Sequence, residues 1–191
     1  MRKLIFALLL SCLGGCAAHK QPTATANHPT MAMAHVQRVG PTSLYPDSSM
    51  TVGKYDTLSV SDLTKKWTEN CPSGKPTCTY SQAHRNVPTS VHTKVYDEYN
   101  VPQAKRNIIN GEVDHLYPLC AGGSNDISNL WYQPITNEWS GQNFGFKEKD
   151  RLETYVCQEI VAKRMNPADA YRELTEDWVK FYMDEGLDHV E

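Results

Sequence analysis

The sequence predicts a small α+β domain, and three observations carry that prediction. Residues 112–163 read in the order strand, strand, helix; amphipathic helical patterns flank them; and four cysteines stand where two disulfides can form. The 191 residues are 40% hydrophobic and 21% charged, enough apolar material for one core and unlike a disordered or collagen-like chain. The apolar run at residues 4–10 is far shorter than the roughly 20 residues of a bilayer-crossing helix, so an integral membrane protein is not expected. The net charge of −3 divides into +4 for residues 1–80 and −7 for residues 81–191. Any binding of nucleic acid would therefore depend on a local basic patch.

The chain begins with Arg2-Lys3, the apolar run and the small residues Gly14-Gly15, the three regions of a secretory signal over residues 1–15. Its ending, Leu13-Gly14-Gly15-Cys16, resembles the lipobox of bacterial lipoproteins. That resemblance implies cleavage before Cys16 and lipids on its thiol and new amino group. Several acyl chains, at about 0.8 kcal/mol per buried CH₂, anchor stably. Ala17, by resemblance to the lipoprotein sorting rule, implies the outer membrane, facing the periplasm or the cell surface. Residues 16–55 read as the lipidated cysteine and a flexible linker, rich in Ala, Thr, Pro, Ser and Met without an apolar period. Within it His28, Met31, Met33 and His35 offer soft donors suited to copper. A flexible tract loses entropy in closing around an ion, so ordinary linker residues are the expectation.

Cys12 leaves with the signal and Cys16 is lipidated, which leaves Cys71, Cys78, Cys120 and Cys157. Four cysteines allow three pairings; loop proximity favours Cys71 with Cys78 and, by remainder, Cys120 with Cys157. A structural zinc site is disfavoured, because there is no CxxC pair and export favours oxidation.

Residues 56–191 form the expected folded domain, with a core at about 87–165 and a C-terminal helix at 166–185. Ser61 caps a short helix over residues 62–67, and Pro72, Gly74 and Pro76 impose a turn between the first two cysteines. Val91, Val95 and Tyr99 recur every fourth residue after Pro88-Thr89-Ser90, an amphipathic helix that Val101-Pro102 ends. Residues 112–119 read as a strand before the turn Gly122-Gly123-Ser124-Asn125-Asp126, and residues 129–133 as its antiparallel partner, limited by Pro134. A helix follows over residues 146–163, with Leu152, Tyr155, Val156 and Ile160 on one face. The last helix opens on Asn166 as N-cap with Pro167 in its first turn, burying Ala170, Leu174, Trp178 and Phe181 or Tyr182. These aromatics belong to the core and not to a base-stacking platform.

Three motifs stand in order on this unit: Gly111-Glu112-Val113-Asp114-His115-Leu116-Tyr117-Pro118-Leu119; Gly122-Gly123-Ser124-Asn125-Asp126 with Asn129-Leu130-Trp131; and Lys149-Asp150-Arg151-Leu152-Glu153. Together they resemble the exported bacterial HNH endonucleases with their DHLIPL, GGSNDxxNLW and KDRLE pattern. The close match spans residues 87–153, and the Trp178-containing tail is similar to the family's last helix. The resemblance implies a ββα-metal (HNH, His-Me finger) core. It also implies a membrane-anchored, divalent-metal-dependent, largely non-specific endonuclease that hydrolyses DNA phosphodiester bonds, with Mg²⁺ or Mn²⁺ as cofactor and nucleic acid and the membrane as partners.

The residues also have chemical reasons. His115, with an ordinary imidazole pKa near 6.5, is the candidate general base. Asp114 offers a hard anionic oxygen to the ion, and Asn129 an amide to hold the loop and orient His115. Neighbours in a regular strand point to opposite faces, so Asp114 and His115 share a site only where the strand twists or ends. For the third metal contact, Lys147 stands where close relatives often carry His; Asn143, alternatively the N-cap of the following helix, and Asn137 are the remaining candidates. Lys147, Lys149 and Arg151 are placed to meet phosphates, although Lys149 with Glu153 also fits an ordinary i,i+4 pair. Glu112 is either a carboxylate behind the ion or a solvent-facing charge. The second functional reading is a catalytically inactive HNH-fold lipoprotein that binds nucleic acid or an envelope partner. A GxSxG serine hydrolase is disfavoured, since no such elbow occurs.

Overall fold

The computed structural model describes residues 43–189, so the signal, Cys16 and the donors from His28 to His35 lie outside the described residues. Ser59, not Ser61, caps the first helix, α1 (Val60–Thr64), because its hydroxyl accepts from Asp62 N–H while the Asp62 carboxylate accepts in return from Ser59 N–H. The same reciprocal cap, Thr79 with Gln82, opens α2 (Tyr80–His84). The helix expected after Pro88 is α3 (Thr89–Glu98).

Strand β1 (Gly111–His115) pairs antiparallel with β2 (Leu130–Pro134), with Asp114 opposite Trp131 and His115 opposite Leu130. β1 is shorter than the expected 112–119, because Pro118 turns the chain into a 3₁₀ turn, Leu119–Ala121. Asn129 belongs to a second 3₁₀ turn, Ile127–Asn129, and not to the strand. A second hairpin, β3 (Asn137–Trp139) with β4 (Gln142–Phe144), stands before α4 (Phe146–Val161) where no strand was expected. Its closing residues Ser140 and Gly141 both have positive φ, 51° and 83°, as a tight two-residue turn requires. The last helix, α5 (Pro167–Asp184), starts at Asn166 as expected, the Asn166 side chain accepting from Ala168 N–H. Asp177 interrupts it with non-helical φ and ψ, and its carboxylate caps Lys180 N–H beyond the break.

Two apolar clusters organise these elements. The larger packs α4 on α5, with Leu152, Val156, Ile160, Leu174, Trp178 and Tyr182 buried. The smaller sets Val95 of α3 and Tyr99, just after it, against Leu130, Trp131 and Tyr132 of β2. Both cysteine pairs are bonded, Cys71 to Cys78 and Cys120 to Cys157, at Cα separations of 5.6 and 5.8 Å. The second ties the turn after β1 to α4; a loop of that length contributes about 3 to 5 kcal/mol in the chain-entropy picture. The segment read as linker up to residue 55 is docked from Leu44 onward. Trp178 Nε1 donates to Leu44 O at 2.8 Å, and Thr51 Oγ1 donates to Leu130 O at 2.8 Å. Its irregular backbone finds partners in neighbouring loops, so docking left no apolar period in the sequence.

Candidate active site

The site is built at the end of β1 by three elements: the hairpin, the loop between its strands, and α4. The loop must fold back on itself. Gly123 lies so close to the chain that a Cβ there would stand 1.8 Å from Tyr117 O, which only glycine tolerates. Asn129, fully buried, braces the same loop. Its amide NH₂ donates to Tyr117 O and Ser124 O, and its oxygen accepts from Tyr117 N–H, all at 2.9 Å. Of the two roles expected of Asn129, the structure places it in the loop-holding one; the residue that meets the imidazole is Asn125.

His115 Nε2 lies 2.9 Å from Asn125 Oδ1, and Asn125 Nδ2 donates to His84 O at 2.7 Å. A backbone carbonyl only accepts, so the Asn125 NH₂ must face His84 and its oxygen must face the ring. Nε2 therefore carries the proton, and in the neutral ring Nδ1 is the basic nitrogen. Burial pushes the His115 imidazole below its ordinary value, against the opposing charge of Asp114, so the neutral base is favoured. The carbonyl that fixes Asn125 is itself steadied, since the His84 ring stacks on Tyr80 at 4.0 Å between centroids and meets Trp67 edge-on.

Asp114 takes a different partner from His115, the residue at which β1 ends. Its Oδ2 accepts from Lys149 Nζ at 2.8 Å, and the same ammonium donates to His115 O at 2.5 Å and to Glu153. The Lys149 side chain is 0% exposed. Burial disfavours its charge, but Asp114 and Glu153 outweigh that and hold it protonated. Lys149 is thus an internal clamp joining α4 to β1, with no surface to offer a phosphate, and its i,i+4 partner Glu153 completes the clamp. Burial pushes the Glu153 carboxyl up, opposed by Lys149.

Glu112, two residues before Asp114 on the strand, is pushed up to about 7 by burial and by the negative charges of Asp114 and Asp150. Burial and Asp114 raise Asp150 as well. Opposite Glu112 in the register is Gln133, 1% exposed, whose side-chain nitrogen and oxygen have no hydrogen-bond partner among the described residues. Carboxylates that repel one another, with an unpaired amide opposite one of them in the strand register, are hard donors suited to a hydrated divalent ion, which takes only one or two carboxylates and keeps several waters. No cluster of three or more His, Cys, Asp or Glu among the described residues is arranged to hold a metal on its own. In donor chemistry, Asp114, Glu112 and Gln133 fit such an ion.

The other expected contacts are placed elsewhere. Asn143 is exposed on β4 opposite Glu138, and it does not cap α4. Gly145 holds the N-cap position, its N–H donating to Glu148 Oε2 at 2.9 Å. Asn137 lies on β3, where its side-chain oxygen accepts from Glu138 N–H. Lys147 is exposed on the first turn of α4. Arg151 turns to α5, donating to Tyr182 OH at 2.5 Å, and is withdrawn from the hairpin.

Two residues that the sequence reading did not assign enter the site. Asn125 stood in the Gly-Gly-Ser-Asn-Asp motif but was read only as turn chemistry. Arg85, just after α2, is exposed and its charge bears on Glu112, His115 and Asp150. It is 30 residues from His115 in sequence, and no local pattern pointed to it. Compared with protein-family models, curated proteins and solved structures, the chain matches none of them.

Proposed function

We propose that this chain is an exported, lipid-anchored HNH-type endonuclease that hydrolyses DNA phosphodiester bonds with a divalent ion and little sequence preference. The observation that carries the reading is the oriented imidazole: His115 is held at a strand end with Nε2 donating to Asn125 and Nδ1 left basic. The motif resemblance from Gly111 to Glu153 supplies the reaction class for that geometry.

In this reading His115 Nδ1 takes a proton from the attacking water, help of the kind worth about 10² to 10⁴ in rate. Asn125 keeps the tautomer, Asn129 keeps the loop that carries Asn125, and Lys149 fixes the Asp114 carboxylate by one oxygen. Asp114, with Glu112 and Gln133 behind it, would hold Mg²⁺ or Mn²⁺, which supplies charge neutralisation to the phosphate and the departing oxygen. Weak sequence preference follows from phosphate contacts that position a strand without reading its bases. Anchoring at the outer membrane rests on Cys16 and Ala17; Cys16→Ser should release the protein from membranes, and persistent membrane attachment would remove the anchor.

The test is cleavage of plasmid DNA by the mature protein with Mg²⁺ or Mn²⁺, then with chelator. Cutting that the chelator stops supports the enzyme. Binding without cutting in any metal favours the second reading, an inactive scaffold for nucleic acid or an envelope partner. Lys147, standing where the HNH family that the motifs resemble often carries His, is what favours that second reading.

A further inference from the structure

A groove of about 560 Å³ is lined by residues of α2 and α4 and by the Cys120–Cys157 disulfide, with Arg85 and Asp150 also in its lining. Its volume lies within the roughly 300–1,000 Å³ range of sites that enclose small ligands. Its lining offers two kinds of chemistry. Arg85 is the one cation among the described lining residues, with Asp150 and Glu153 as the carboxylates. The disulfide lines it together with the neutral hydrogen-bonding side chains of Thr154 and Gln158. A phosphate suits Arg85; a nucleobase, flat and apolar on its faces and polar at its edge, suits the disulfide with Thr154 and Gln158.

Arg85 is equipped for the phosphate. It has no salt-bridge partner among the described residues, unlike Arg106, Arg164 and Arg172, each held by a carboxylate. Its backbone follows His84, whose ring is packed and whose carbonyl holds Asn125, so the guanidinium starts from a fixed point beside the imidazole. A guanidinium presents five donors in a planar fork matched to phosphate oxygens.

We infer that this groove seats the nucleotide flanking the cleaved phosphate, with Arg85 on a phosphate of that strand and the base over the Cys120–Cys157 disulfide. The inference rests on the nuclease reading and adds the substrate-binding side of the same site.

The experiment is fluorescence anisotropy of a labelled 12-nucleotide single-stranded DNA titrated with the full chain in detergent, in a His115→Ala background that cannot cut, across a salt series. Adding Arg85→Ala should weaken binding about three- to tenfold and lower the slope of log affinity against log salt by about 0.7, the loss of one phosphate contact on a single strand. Arg85→Lys should keep the slope. Thr154→Trp, which fills the groove, should weaken binding with the slope unchanged, and Arg172→Ala should alter neither quantity. Unchanged affinity and slope in Arg85→Ala, or unchanged binding in Thr154→Trp, overturns the inference while leaving cleavage by the parent enzyme intact. If the unmutated chain neither binds nor cuts DNA, the nuclease reading fails and the groove assignment falls with it.

Discussion

The two hairpins share a local geometry and differ in what covers them. Every residue of β2 is buried, α3 packs on the β1–β2 ribbon, and Lys149 reaches β1 from α4. In β3–β4, Gln142 and Asn143 are exposed, and Phe144 is buried among Trp178 and Tyr182. A covered strand has its side chains fixed by contacts on several sides, so groups at its end can be aimed. An exposed strand presents side chains whose positions are set mainly by solvent. This is why His115 and Asp114 find defined partners on the first hairpin, while the candidate metal contact Asn143 on the second lies in the open.

Breaking the covered hairpin's chemistry should have the largest effect. His115→Ala is expected to lower DNA cleavage by about 10² to 10⁴ with the thermal unfolding midpoint preserved; unchanged cutting would take the base away from this residue. Next comes Lys149→Met, which leaves Asp114 and Glu153 buried against each other without their ammonium. A loss of about 3 to 5 kcal/mol in urea unfolding is expected. Asn129→Ala removes the three bonds that brace the loop and should cost about 1 to 3 kcal/mol, with cleavage falling alongside because Asn125 is no longer held. On the exposed hairpin, Asn143→Ala should change stability by less than about 0.5 kcal/mol. A Mn²⁺ titration of that variant sharpens the contrast, since a weakened metal affinity would bring β4 into the site. The smallest effect concerns acid. Hydrogen bonds from Lys54 and Ser128 hold the Asp126 carboxylate at about 2, below the ordinary 3.8. A lowered folded value means the stabilisation is present above about pH 4 and is lost as pH falls towards 2. Asp126→Asn should therefore flatten that part of the acid-unfolding curve.

Local patterns located the long elements. The four-residue apolar spacing in α4 and α5, the Asn166-Pro167 start and the Cys71–Cys78 pair, seven residues apart, were legible because each depends on neighbours in sequence; Cys120–Cys157, 37 residues apart, followed only by remainder. The β3–β4 hairpin was missed although Ser140-Gly141 is the dipeptide a tight turn uses; its strands of three residues are too short to show alternation. Asn129 was legible as a loop brace and not in its distance from the imidazole. Lys149 was legible as a partner of Glu153, and its burial was not.

The sequence by itself determined the crosslinks, the pair of residues, Asp114 and His115, on which the chemistry is proposed to turn, and the paired strands β1 and β2 with the helix α4 that follows, though not the β3–β4 hairpin between them. Only the tertiary structure decided which nitrogen of His115 is basic, that Lys149 is an internal clamp and that Arg85 stands beside the site. Those three depend on groups 10 to 41 residues apart meeting in space, His115 with Asn125, Asn125 with His84, and Asp114 with Lys149. Periodicity and spacing register contacts along a helix or strand, whereas contacts between elements are fixed by how the buried faces pack.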